Sequence, residues 1–153
     1  MEHIKDPKKV AQGKNNKRKG SQLEAKARAA LVDAGYIICR WQNTIVDGRI
    51  VGAKPKWNFF TKSISFSGVG FPDFVVMKKL DAPSYTFEGC YNVIGLECKS
   101  NGYLSPEERV MVKWYLDNKT FNKIVIAKKD KAGHMIFVDS QTKEEMLVGD
   151  LFK

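Results

Sequence analysis

Histidine and cysteine are scarce in this sequence, whose 153 residues include two histidines and three cysteines. Cys39, Cys90 and Cys98 form no C-x-x-C pair, and His3 and His134 stand apart from them. A structural zinc site needs four such ligands at close spacing, and a disulfide framework needs an even set. The sequence therefore argues against both. We expect Cys39 and Cys98, which lie in apolar runs, to be small core residues in a reducing compartment.

Long apolar runs are also missing. No segment approaches the roughly 20 consecutive apolar residues of a membrane-spanning helix, and the basic first residues lack the apolar core of a signal peptide. The apolar share of 43% and the aromatic share of 11% are nevertheless those of a globular protein with a proper core. We therefore expect one cytoplasmic domain that has no membrane partner.

Acidic residues are the minority charge. Lys and Arg number 26 against 17 Asp and Glu, which gives a formal net charge of +9. Residues 1–20 hold seven of the basic residues and two of the acidic ones. Such an excess favours polyanions, above all nucleic acid. We expect residues 1–19 to be a flexible basic arm whose Lys17, Arg18 and Lys19 contact phosphates; a disordered solubilising tail is the alternative.

Charged residues interrupt two apolar runs in the middle of the chain. Asp73 opens the run 74–77, and Glu97 and Lys99 stand two apart at the end of the run 91–98. Because side chains alternate along a strand, Glu97 and Lys99 point to the same face. An unpaired charge in a buried strand is costly, so these groups need partners, a metal ion or water. Asp73 and Glu97 together would supply the oxygen ligands that Mg²⁺ prefers.

Pro72-Asp73, followed by Glu97-Cys98-Lys99 at a spacing of 24 from Asp73 to Glu97, resembles the PD-(D/E)XK signature of restriction-endonuclease-like nucleases. The residues around the two motifs, and the later Leu104-Ser105-Pro106-Glu107-Glu108-Arg109, are similar to the VRR-NUC branch of that superfamily. The segment Arg18-Lys19-Gly20-Ser21-Gln22-Leu23-Glu24 is similar to the opening of archaeal-type Holliday-junction resolvases. The resemblance covers roughly residues 17–128, apart from the stretch between Trp41 and Gly68.

The resemblance implies an α/β fold with a restriction-endonuclease-like core, in which helices flank a central mixed β-sheet, over residues 20–153. It also implies Mg²⁺ as the cofactor, with Mn²⁺ able to substitute. Asp73 and Glu97 would bind the ion directly, together with the backbone carbonyl of Cys98. Lys99 would orient or help to deprotonate the attacking water, or stabilise the developing charge. The alternative is a turn capped by Asp73 and a structural ion pair between Glu97 and Lys99.

Glu24 has two interpretations. The resemblance makes it a fourth catalytic residue and an outer-shell acid at the metal site. Ser21-Gln22-Leu23-Glu24 also has the S-x-x-E form of a capping box, in which Glu24 would bond the start of its own helix.

Periodicity and turn residues predict the elements around these motifs. The predicted elements are a helix over 21–34, a strand over 36–41, a hairpin about Asp47-Gly48, strands over 74–77 and 91–98, a helix after Ser105, and strands over 121–127 and 134–138. The helix after Ser105 has Ser as N-cap, Pro at N1 and Glu at N3. The strands before and after this helix should form a right-handed parallel crossover.

Segment 42–69 interleaves lysines with aromatic residues. Aromatic rings among lysines can stack on unpaired bases and neutralise phosphates, so a substrate-binding or dimerisation insertion is one interpretation. A covered core edge is the other. We expect the basic side chains Lys54, Lys56 and Lys62 to contact phosphates. Arg109 and Lys113, four apart on the second helix, take the same role beside Glu108, where VRR-NUC members often carry Gln.

These features predict a metal-dependent DNA endonuclease that acts on branched DNA as a homodimer, in recombination or repair. The branched substrate and the pathway follow from the family resemblance alone. A restriction-type or phage nuclease with another DNA substrate is the nearest alternative. A non-catalytic nucleic-acid-binding protein and an RNA-directed nuclease are further alternatives. The expected location is the cytoplasm, on nucleoid or viral DNA.

Overall fold

The computed structural model describes residues 7–58, 62–65, 70–80 and 89–153. The helices are α1 (Pro7–Asp33), α2 (Pro106–Asp117) and a short 3-10 turn (Val148–Asp150). The strands are β1 (Ile37–Arg40), β2 (Asn43–Val46), β3 (Arg49–Gly52), β4 (Lys56–Asn58), β5 (Ser63–Ser65), β6 (Phe74–Lys79), β7 (Tyr91–Cys98), β8 (Ile124–Lys129), β9 (Met135–Asp139) and β10 (Glu145–Met146). Across these described ranges, no helix has both the length and the apolar character that crossing a membrane requires.

The fold is built on a six-stranded sheet in the order β1-β6-β7-β8-β9-β10. Strands β7 and β8 are parallel and are connected through α2, whereas every other neighbouring pair is antiparallel. Phe74 lies opposite Leu96, so the start of β6 meets the end of β7. The predicted α/β class, the mixed central sheet and the parallel connection are therefore confirmed. We call the edge of the sheet at the carboxyl ends of β7 and β8 the carboxyl edge.

Apolar side chains cover both faces of the sheet. On one face, Phe74 and Val76 pack with Leu31 of α1. On the other face, Val75 packs with Tyr115 of α2. This alternation along β6 is the period of two expected of a strand buried on both sides. By the same alternation, Asp73, Glu97 and Lys99 belong to the face that α2 covers.

The start of α1 differs from the prediction. The helix begins at Pro7 instead of Ser21, so residues 7–19 of the expected basic arm are helical, and residues 1–6 lie outside the described part. The segment is rich in Lys and Arg, which are good helix formers, and Pro at the first helical position needs no hydrogen-bonded N–H. A helix nucleated by the packed residues Leu23 to Leu31 can therefore extend toward the N-terminus.

Segment 42–69 forms two separate two-stranded ladders. The predicted hairpin is confirmed, since β2 and β3 pair antiparallel around Asp47 and Gly48, which have φ values of 48° and 69°. Both central residues have the positive φ of a type I′ turn. Strands β4 and β5 form the second ladder, while residues 59–61 and 66–69 lie outside the description. One correction concerns Cys39, expected in the core: its side chain is exposed on the edge strand β1.

Gly95 on β7 is packed too closely for a side chain. A Cβ atom there would lie 2.9 Å from Cγ of Pro72 and 3.1 Å from Cγ1 of Ile124. We expect Gly95→Ala to lower the free energy of unfolding by about 1–3 kcal/mol, because the neighbours are ring and β-branched atoms that must shift. Urea unfolding would measure this. The matched control is Gly13→Ala, where nothing lies within 4 Å and the helix gains about 1 kcal/mol. A Gly95→Ala protein as stable as wild type would contradict the packing described here.

Candidate metal centre

The side chains of Asp73 and Glu97 each accept a hydrogen bond from the backbone of the segment that carries the other. The Cys98 N–H donates to Oδ2 of Asp73 at 2.8 Å, and the Asp73 N–H donates to Oε2 of Glu97 at 3.1 Å. The Asp73 carbonyl also accepts a bond from the Trp41 N–H at 3.1 Å, which fixes this residue to the end of β1. The two carboxylates predicted to converge from their strand context therefore do meet at one end of the sheet.

Lys99 lies between two carboxylates. Its Nζ is 3.0 Å from Oε1 of Glu97 and 2.6 Å from Oε1 of Glu108. Glu108 is fixed as the N3 residue of α2, where its other oxygen accepts from the Ser105 N–H at 2.8 Å. The predicted Ser105 cap is therefore confirmed, and it positions the second partner of Lys99. The ion pair between Glu97 and Lys99 is present, but it belongs to a larger cluster that includes Asp73.

The cluster has an excess of negative charge. Burial raises the pKa of Asp73 above its ordinary value. Burial, and then repulsion by Asp73, raise the pKa of Glu97 to about 8, although Lys99 opposes this. Glu97 is only 5% exposed, so water gives it little relief. A carboxylate pair of this kind, largely withdrawn from water and with raised pKa values, is stabilised by a cation between the two groups.

Lys99 is a charged lysine at neutral pH. Burial would lower the pKa of Lys99, but its hydrogen bond to Glu108 and its attraction to Glu97 raise that pKa above the ordinary value. The ammonium can therefore donate hydrogen bonds or stabilise negative charge. It is poorly suited to take a proton from water.

The donor set fits a magnesium-type ion. Within the described ranges, no group of three or more His, Cys, Asp and Glu side chains could hold a metal ion. Mg²⁺ needs only one or two carboxylates, because it keeps several waters. A third oxygen is available from the backbone. The Cys98 N–H points toward Asp73, and in a strand the carbonyl of the same residue points to that side too. Pro72, the residue before Asp73, has no N–H and therefore cannot donate a hydrogen bond to the Cys98 carbonyl.

Glu24 lies on α1, on the other side of the sheet from α2. Its Oε2 is 2.7 Å from the guanidinium of Arg40, and its charge contributes to the raised pKa of Asp73. Because α1 begins at Pro7, Glu24 is inside the helix, and the capping interpretation is wrong. The structure therefore brings Glu24 near the cluster, as the outer-shell interpretation requires.

Arg40 and Glu108 are the residues of this cluster that sequence reasoning undervalued. The guanidinium of Arg40 pairs with Glu24 and lies 5.2 Å from the ring centroid of Phe74. The signal for Arg40 was the same as for Asp73, a charged residue at the end of an apolar run. Glu108 was identified only as a helix-capping residue and as a departure from the VRR-NUC pattern. Its contact with Lys99 depends on how α2 packs against β7.

The predicted phosphate contacts are scattered over the surface. Lys17, Arg18 and Lys19 are exposed on the first half of α1, Lys54 and Lys62 are exposed in segment 42–69, and the side chain of Lys56 lies outside the description. Arg109 donates to the Leu104 carbonyl at 3.2 Å, and Lys113 pairs with Asp117 at 2.7 Å. Among the described residues, none of these cations bonds to Asp73, Glu97 or Lys99.

Comparisons of the chain with protein-family models, with curated proteins and with solved structures found no match. The fold and the site define an α/β protein with one buried carboxylate, Glu97, a partly buried one, Asp73, and a charged lysine at one edge of a mixed sheet. Any function must be inferred from that geometry.

The raised pKa of Glu97 predicts how stability depends on pH in the absence of metal. Its pKa is about 8 in the folded chain against an ordinary 4.5, so the folded state holds this proton more tightly. This contribution to stability is fully present below about pH 4.5 and is lost as the pH rises through 8. We expect the melting temperature in EDTA to fall over this range relative to Glu97→Gln. An equal pH profile for the two proteins would contradict the shift.

Proposed function

We propose that this chain is a metal-dependent DNA endonuclease with a restriction-endonuclease-like core and Mg²⁺ as its cofactor. The observation that carries the proposal is the pair of carboxylates formed by the partly buried Asp73 and the buried Glu97, cross-bonded through backbone amides with Lys99 beside them. A protein that only binds nucleic acid gains nothing from an uncompensated negative cluster, because such a cluster repels phosphate. A hydrolase for phosphodiesters does gain from it, because the cluster recruits a divalent cation.

The proposed mechanism assigns one task to each residue. Asp73, Glu97 and the Cys98 carbonyl would hold the ion, which when bound acts as a Lewis acid on the phosphoryl oxygen and lowers the pKa of water. Lys99, charged and held between Glu97 and Glu108, would donate a hydrogen bond to the attacking water or to a phosphoryl oxygen. The raised pKa of Lys99 favours this role over proton abstraction.

Glu24 and Arg40 are proposed to complete the site from the α1 side. Glu24 acts as an outer-shell acid through waters. The guanidinium of Arg40, 2.7 Å from Oε2 of Glu24, keeps the Glu24 carboxylate in place. The side chain of Arg40 is 54% exposed, so it can also reach a substrate phosphate.

Branched DNA is the proposed substrate, and a homodimer is the proposed form, since two copies would place two sites on two strands. The excess of basic residues supports a DNA partner. A panel of labelled DNAs tests the substrate: four-way junction, flap, nicked duplex, linear duplex and single strand, each with Mg²⁺, Mn²⁺ or EDTA. Cleavage that needs metal and favours the junction is expected. Preferred cutting of linear duplex would favour the restriction-type alternative, and binding without cutting under any metal would leave a non-catalytic binding protein.

A further inference from the structure

The first half of α1 is basic and exposed. Residues 7–18 contain five Lys or Arg and no Asp or Glu. Every described side chain from Lys8 to Lys19 is exposed. The buried residues of the same helix begin only at Leu23 and continue through Ala27 and Leu31. The helix thus has a packed second half and a solvated first half, which we call the basic overhang (residues 7–18).

The basic overhang extends past the carboxyl edge. Lys19 and Leu23 line one cavity of about 330 Å³ with Ser100 and Lys129, which follow or end β7 and β8. At the other end of the packed half, Leu31 accepts a bond from the Tyr36 N–H just before β1. The helix therefore runs from the carboxyl edge toward the opposite edge of the sheet.

The length of the overhang follows from helix geometry. Twelve residues at about 1.5 Å each extend about 18 Å beyond that edge. This corresponds to about five base pairs of B-form duplex, whose phosphates repeat about every 3.4 Å along each strand.

The composition of the basic overhang indicates which kind of partner it fits. Val10 is its only large apolar residue, and it is 40% exposed. A membrane-surface helix needs a broad apolar face, and a helix that pairs with a second copy needs an apolar seam. Neither is present in residues 7–18. An exposed helical segment that contains five cations and no acidic residue instead fits a polyanion with regularly spaced charges.

We infer that the basic overhang lies along the sugar–phosphate backbone of duplex DNA next to the scissile phosphate, over about five base pairs. This inference rests on the proposed nuclease function, because it takes the cluster of Asp73, Glu97 and Lys99 as the position of the cut. Under this inference, the substrate also has a duplex arm on the α1 side of the cluster of Asp73, Glu97 and Lys99.

The test is the salt dependence of DNA binding by the full chain in EDTA, where no cleavage occurs. The triple variant Lys14→Gln, Lys17→Gln and Arg18→Gln removes three charges and keeps helix propensity, since Gln is nearly as good a helix former as Lys or Arg. The matched control removes three exposed lysines near the opposite edge, through Lys78→Gln, Lys79→Gln and Lys119→Asn; Asn suits Lys119 because its φ is positive. Circular dichroism checks that helix content is unchanged.

For a 30-base-pair duplex, we expect the slope of log affinity against log salt to become shallower by about 2–3 in the triple variant, because each lost phosphate contact removes about 0.9. The control should keep the wild-type slope. If the slope were unchanged in the triple variant, or became equally shallow in the control, the inferred contact between the basic overhang and DNA would be wrong, even if wild type cuts DNA. The slope could instead be shallower in the triple variant while wild type cuts no DNA. That result would contradict the proposed nuclease function and leave the basic overhang as a helix that binds duplex DNA.

Discussion

Replacing Asp73 with Asn is expected to abolish DNA cleavage while making the metal-free protein more stable. The Asn carbonyl can still accept the Cys98 N–H that now bonds Oδ2 at 2.8 Å, so the local fold is retained. The lost charge removes one of the two carboxylates proposed as metal ligands. We expect activity to fall at least about 10³-fold, which corresponds to about 4 kcal/mol of transition-state stabilisation.

The gain in stability follows from the repulsion between Asp73 and Glu97. Asp73 is the second cause, after burial, of the raised pKa of Glu97. Its neutralisation should raise the melting temperature in EDTA at pH 8 by about 2–4 °C, or about 1 kcal/mol. Thermal unfolding measures this, with Asp117→Asn on the exposed face of α2 as the control. An Asp73→Asn protein that still cleaves DNA, or that melts at a lower temperature, would contradict the proposed role.

Replacing Lys99 with Met is expected to damage both activity and stability. Met keeps the apolar stem but leaves Glu97 and Glu108 without the ammonium that now lies 3.0 and 2.6 Å from them. Loss of a positioned hydrogen-bond donor should lower the cleavage rate by about 10²–10⁴-fold. The unpaired carboxylates should lower the free energy of unfolding at pH 8 by about 1–2 kcal/mol, a modest figure because solvent reaches part of this cluster.

Single-turnover cleavage and urea unfolding of the same preparations measure the two effects of Lys99→Met. Lys153→Met is the matched control, because Lys153 pairs with Asp150 in an exposed position near the C-terminus. The control should behave like wild type in both assays. If Lys99→Met retained full cleavage with a lower stability, Lys99 would be a structural residue only.

Much of the fold could be predicted from the sequence because the signals are local. Strands β6 and β7 were visible as short apolar runs, and the turn at Asp47-Gly48 specified its hairpin. The start of α2 was visible as Ser105 followed by Pro106. The α/β class then followed from the order of these elements.

The remaining features depend on contacts between distant residues. Ser21-Gln22-Leu23-Glu24 looked like a helix start, but packing of Leu23 lets the helix continue to Pro7. Cys39 looked like a core residue, although strand order places β1 at an edge of the sheet. The pairing of Glu24 with Arg40 could not be read from either residue alone. The convergence of Asp73, Glu97 and Lys99 could be predicted, while the partners that orient these side chains required the structure.

Calorimetric titration of the full chain with Mn²⁺ at pH 7, in buffers of different ionisation enthalpy, tests the central claim that Asp73 and Glu97 form a divalent-cation site. We expect binding that Asp73→Asn removes, with release of close to one proton, because the pKa of Glu97 is about 8 in the metal-free chain. Wild type that binds no Mn²⁺, or that binds it equally well after Asp73→Asn, would contradict the claim and leave the cluster as a structural ion-pair network.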